Sequence, residues 1–158
     1  IMKRFLLSLL MLAFLSPLAL RADEIIVGTE ESSTQVVPFR SANNYSYTQS
    51  IYLKDEVSKN GTAMTITKLA YKCASSGFTF TGDIKIYVGI TDMTTHTGVA
   101  SDWLSNLTLV FSGSNIVVGD EVWETFQFDT PYEYNATQNL VVAVSKSTSN
   151  PNMVKFSI

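Results

Sequence analysis

The side chains that most often carry out chemistry are scarce in this sequence. His96 is the sole histidine and Cys73 the sole cysteine among 158 residues. One imidazole and one thiol cannot assemble a four-ligand zinc site, and no pair of histidines is available at metal-binding spacing. A Ser–His–Asp triad would have to draw on His96, which lies in the Thr-rich DMTTHTGVASDW, a stretch that reads as a solvated loop. No GxSxG, P-loop, GxGxxG or EF-hand calcium pattern occurs. Carboxylates are plentiful, with 14 Asp and Glu, and glycoside hydrolysis needs only two of them roughly 5–10 Å apart. Glu121 and Glu124 have opposite parity on one strand and cannot face each other. Asp129 and Glu133 flank Thr130-Pro131, where an aspartate is expected to form a turn. The sequence thus points away from an enzyme and predicts no cofactor and no metal site.

Aromatic side chains offer a different chemistry, because the C–H face of a sugar ring stacks on an aromatic π-face. The candidate ligand-binding residues are Trp103, Trp123, Tyr87, Tyr132 and Tyr134, with Trp103 foremost because ASDWL reads as an exposed acidic loop. Trp123 opens the stretch WETFQFDTPYEY and shares a strand face with Thr125 and Gln127, while Phe126 and Phe128 occupy the core face. Burying its ring would remove about 150–250 Å² from water, worth about 4–6 kcal/mol at ~25 cal/mol/Å². A Trp123 packed under a neighbouring loop is therefore expected, with a ligand platform as the alternative. Tyr45 and Tyr47 in NNYSYTQ read as half-buried strand residues, and Cys73 in LAYKCA as a small core residue.

The elements that must position these residues read as strands throughout. Thr, Val, Ile, Tyr and Phe dominate, Gly and Asn punctuate, and no stretch keeps a 3.6-residue apolar period for three turns. Strands are predicted over 25–27, 35–39, 47–53, 65–74, 83–90, 107–112, 115–118, 122–129, 140–145 and 153–158. Turns are expected at Asn60-Gly61, Gly82-Asp83, Ser112-Gly113, Gly119-Asp120 and Asn150-Pro151. Ile84, Ile86, Val88 and Ile90 point one way, and Lys85 and Tyr87 the other, the mark of an antiparallel sheet with one buried face. Leu140 to Val144 is apolar on both faces and should be central. Single helical turns are expected at 54–57 and 100–104. The predicted fold is an all-β, antiparallel, jelly-roll-like sandwich of about 8–10 strands.

The first 22 residues read separately. Lys3-Arg4, the apolar run from Phe5 to Leu15 and Ala22 after Arg21 form the pattern of a secretory signal peptide. Pro17 and Arg21 cut the run short of the roughly 20 apolar residues a membrane span requires. Domains are thus expected at 1–22, the signal, and 23–158, one sandwich. No membrane insertion is expected once the signal is cleaved. The alternating apolar end, NPNMVKFSI, has no closing turn, so the domain is expected to be truncated at its C-terminus. Beyond residue 22 the chain has 8 Lys and Arg against 14 Asp and Glu, a net charge near −6. Nucleic acid, which needs clustered cations, is not an expected partner.

Several stretches in order, among them SYTQSIYL, IKIYVGIT with the following SDW, and TPYEYNATQNLVVAV, resemble a β-sandwich domain of secreted multidomain surface proteins of the Bacteroidota. The likeness covers about residues 25 to 145. Such domains usually carry Gly where Ala136 stands, and further strands after the NLVVAV strand. The resemblance implies secretion or display at the cell surface, further domains in the same polypeptide, and a non-catalytic adhesion or recognition role. The partner it implies is a glycan or a host surface protein. The alternative is an accessory or spacer domain of a larger secreted hydrolase, a peptidase or glycosidase. The resemblance supplies no catalytic or binding residues.

Overall fold

A computed structural model describes residues 23–28, 33–34, 38, 43–73, 78–118, 123–147 and 156–157. The expected signal segment, 1–22, and most of the strand expected at 35–39 lie outside the described residues. Among the described residues, eight strands, one helical turn and one 3₁₀ turn follow in order: β1 Ser33–Thr34, β2 Tyr45–Tyr52, α1 Lys54–Val57, β3 Met64–Lys72, β4 Phe78–Thr91, the 3₁₀ turn Ala100–Asp102, β5 Thr108–Val118, β6 Trp123–Tyr134, β7 Asn139–Ser147 and β8 Phe156–Ser157. Every strand pairing is antiparallel. One sheet has the order β2-β7-β4-β5; β3 pairs with β6 in the facing layer, and β8 pairs with β1 while running beside β3. The chain crosses between layers on leaving β2, β3, β5 and β6. This is the predicted all-β sandwich. Among the described residues no helix is long and apolar enough to cross a membrane.

The core lies between the layers, where parity places it. Ile84, Ile86 and Val88 of β4 and Leu140, Val142 and Val144 of β7 pack against Phe126, Phe128 and Tyr134 of β6. The ring of Phe126 meets Phe111 edge-on at 5.4 Å and Tyr71 at 6.3 Å, the arrangement the aromatic quadrupole favours. Tyr52 and Tyr71 share a hydroxyl hydrogen bond between the layers, and desolvation raises the pKa of both phenols. Cys73 is fully buried, as expected. Ile90, in contrast, lies at the exposed end of β4. At the opposite end of the core Lys146 is 2% exposed, and its Nζ donates to the Asn43 carbonyl. Burial lowers the pKa of that ammonium.

Three expected turns are not turns. Gly82-Asp83 falls inside β4, where the pairing with β5 shifts between Phe80 and Asp83. Ser112-Gly113 falls inside β5, so the two strands expected there are one. Glycine in a strand interior commonly marks a bulge. Thr130-Pro131 likewise lies within β6 rather than at a corner. Opposite it the register jumps from Ile66↔Tyr132 to Lys68↔Gln127, and the lone Thr67 carbonyl accepts from Gln127 Nε2 at 2.7 Å. A proline at a bulge forfeits no ladder hydrogen bond. The strand expected at 25–27 is described and is not a strand.

Candidate functional site

The outer face of the four-stranded sheet carries the arrangement with the most chemistry. Cross-strand register sets its side chains in rows: Tyr45, Ser147 and Asp83; Tyr47, Ser145 and Lys85; Gln49, Ala143 and Tyr87. The small residues fall on β7, an inner strand, and the large ones on its neighbours β2 and β4. Small between large makes a trough. It has a volume of about 550 Å³ and is lined by Tyr45, Tyr47, Asp83, Lys85, Tyr87 and the Ser145–Ser147 segment of β7. Tyrosines stand on both walls, the floor presents serine hydroxyls, and Asp83 and Lys85, two residues apart on β4, give one charge of each sign. Tyr45 is 76% exposed and Tyr47 41%, so neither reads as a half-buried structural tyrosine.

The segment between β4 and β5 straps across this face. Gln49 fixes it: its Nε2 donates to the Leu104 carbonyl at 2.7 Å, and its Oε1 accepts from the Leu104 amide at 3.0 Å. The same Nε2 lies 3.0 Å from the Tyr47 hydroxyl. Trp103, 48% exposed, stacks on Tyr47 with ring centroids 5.2 Å apart and planes 27° apart. Farther along, Leu107 lies over Gly89, where a Cβ would collide with Leu107 Cδ2. Beneath the strap, Val141 and Ala143 are completely buried. The strap is braced within itself by Asp102, whose Oδ2 accepts from the Thr97 amide and hydroxyl, both at 2.5 Å. Those hydrogen bonds, with His96 nearby, hold the Asp102 carboxyl below its ordinary pKa. His96 is half-buried in the strap, rather than fully solvated as the sequence suggested.

Of the aromatic residues singled out in the sequence, the structure gathers two at this face. Tyr87 lines the trough. Trp103 does not line it but stacks on Tyr47, which does. The other three lie elsewhere. Tyr134 is a core residue, 1% exposed, and its hydroxyl donates to the Gln138 carbonyl at 2.7 Å; burial raises its pKa. Tyr132 packs half-buried against the same core, which raises its pKa too. Both face the core because residues 132 and 134 keep the inward parity of Phe126 and Phe128, while the irregularity at Thr67 shifts the parity of β3 instead. Trp123 sits on the far side of the sandwich, opposite Lys72 on β3, and is 42% exposed. The expected covering is thus incomplete.

The carboxylates considered for hydrolysis are occupied separately. Asp129 Oδ2 accepts from the Ser112 amide at 2.9 Å, tying β6 to β5, and Glu133 accepts from the Thr65 hydroxyl at 2.9 Å. Among the described residues no group of three or more His, Cys, Asp and Glu is placed to hold a metal ion. Gln49, Tyr45, Tyr47 and Lys85 were not distinguished as site residues by sequence. The available signal was parity: Tyr45, Tyr47 and Gln49 alternate with Ser46 and Thr48, so three large polar side chains share one face. No family model, curated protein or solved structure matches the chain.

Proposed function

We propose that this domain is a non-catalytic recognition module of an exported protein, displayed at the cell surface or released, and that it binds glycan in the outer-face trough. The observation that carries the reading is the trough itself: Tyr45 and Tyr47 on one wall, Tyr87 on the other, and Ser145, Ser147, Asp83 and Lys85 between and beside them. Tyrosine rings supply flat apolar faces for sugar C–H groups. Hydroxyls, a carboxylate and an ammonium supply the few convergent polar groups that orient a ligand in such a site. The adjacent opposite charges offset each other, so the trough favours a hydroxyl-rich ligand over a strongly charged one. Export is supported by the signal-like pattern of residues 3 to 22.

Trp103 acts here through Tyr47, as a positioning residue. A stacked aromatic pair is worth about 0.5–1.5 kcal/mol, enough to hold the Tyr47 ring upright at the rim. The test is a glycan array probed with wild-type protein and with Tyr87→Ala, Lys85→Ala and Trp123→Ala. Binding by the wild type, a loss of about tenfold or more (~1.4 kcal/mol) in the two trough variants and no change in Trp123→Ala are expected. Equal loss in Trp123→Ala would move the site to the other face. No saccharide bound at all would favour a spacer role.

A further inference from the structure

The trough is closed at one end by the strap, and from this we infer that it recognises the terminal unit of a saccharide chain rather than a stretch of the chain's interior. The inference rests on the glycan reading above and adds the mode of recognition.

The geometry follows from register. Along β7 the floor runs from Ser147 to Ser145, and Ala143 follows beneath the strap, one residue in two facing outward, so successive positions are about 7 Å apart. The walls stand on β2 and β4, one strand to each side of β7, about 9–10 Å apart at the backbone. A groove of that width, following β7, would guide an extended chain along the strand. Its course is blocked at the third row. Gln49 on β2 grips the Leu104 backbone from below with both ends of its amide, and Leu107 fills the space above Gly89 on β4. Between these two anchors Ala143 and Val141 have no exposed surface. The strap therefore spans all three strands, and nothing can continue along β7 beneath it without breaking both anchors.

The blocked end is also where the aromatic groups gather. Tyr47, held by Gln49 and Trp103, and Tyr87 stand beside the strap, whereas Tyr45 marks the open end and is 76% exposed. A ligand entering from the open end brings its last unit against Tyr47, Tyr87 and Lys85. Units further back project past Tyr45 into solvent and make few contacts. Gly89 fits this arrangement, since a side chain there would displace the end of the Leu107 side chain from its seat.

The test uses the strongest hit from an array of glucose-, galactose-, mannose-, N-acetylglucosamine- and sialic-acid-terminated oligosaccharides. A ladder of that hit, two to six units long, is titrated by calorimetry, together with versions blocked at one end or the other by a bulky group. The expected result is a Kd constant within about twofold from three units upward. Blocking one end should weaken binding at least tenfold, while blocking the other has no effect. Affinity that climbs with each added unit through six, or that is weakened by neither block or equally by both, overturns the inference and leaves the glycan reading standing. Failure of every saccharide to bind overturns the glycan reading itself, and this inference with it.

Discussion

Removing the Gln49 side chain should release the strap without unfolding the sandwich. Gln49→Ala deletes two partly buried hydrogen bonds to the Leu104 backbone, of 2.7 and 3.0 Å. Each such bond contributes a net 0.5–1.5 kcal/mol or so, giving about 1–3 kcal/mol for the pair. The contact with the exposed Tyr47 hydroxyl adds little, since water replaces it. At 1.4 kcal/mol per factor of ten, the open population of the strap should rise about 5- to 150-fold. The assay is amide hydrogen exchange at Leu104, followed by NMR beside the exchange of Ile86 and Val142 in the core. Exchange at Leu104 should accelerate by that factor while the core amides keep their protection. Gln49→Glu replaces the donor by a second acceptor facing the Leu104 carbonyl and should open the strap at least as far as alanine. An unchanged Leu104 rate in Gln49→Ala would mean that Leu107 over Gly89 alone holds the strap. An equal acceleration at Ile86 would mean that strap and sandwich open as one unit.

Other expectations concern the core, the strap and its tryptophan. Ile86→Ala, at a fully buried site between the layers, should cost about 2–5 kcal/mol in chemical denaturation; a change below 1 kcal/mol would show that the layers collapse to fill the gap. Asp102 has a folded pKa below its unfolded one, so its contribution to stability is present above about pH 4 and lost as pH falls through the folded value. The strap amides, Thr97 first, should therefore lose exchange protection in acid before the core does, and Asp102→Asn should flatten that dependence. Trp103→Ala should weaken saccharide binding about two- to twelvefold, the equivalent of the stacking energy, while leaving the denaturation midpoint within a few tenths molar. A total loss of binding would place Trp103 in direct contact with the ligand.

The layers were legible in the sequence because parity survives tertiary context. Ile84, Ile86 and Val88 face inward while Lys85 and Tyr87 face outward, and β7, apolar on both faces, is indeed an inner strand of its sheet, as β4 is. Both helical turns, at 54–57 and at 100–102, also stand where expected. What misled was punctuation. Gly82, Gly113 and Pro131 carry turn chemistry, yet each lies within a strand, beside or between register shifts that only the partner strand reveals. Ala136 is the converse case. Its φ of 57° occupies the left-handed region that favours glycine, and its residue type gave no sign of a turn there. The candidate site was half legible. Tyr87 could be assigned to the outer face from alternation alone. The role of Gln49 could not, because its partner Leu104 is 55 residues away and joined by backbone groups that leave no mark on residue type.

Everything proposed for this domain depends on binding at the outer face of the four-stranded sheet. An NMR titration of isotope-labelled protein with the best array saccharide tests it most directly. Shift changes should concentrate at Tyr45, Tyr47, Asp83, Lys85, Tyr87 and Ser145, fade along the length of the strap and be absent at Trp123 and Lys72. Changes centred on Trp123 and its β3 neighbours, with the trough silent, would contradict it.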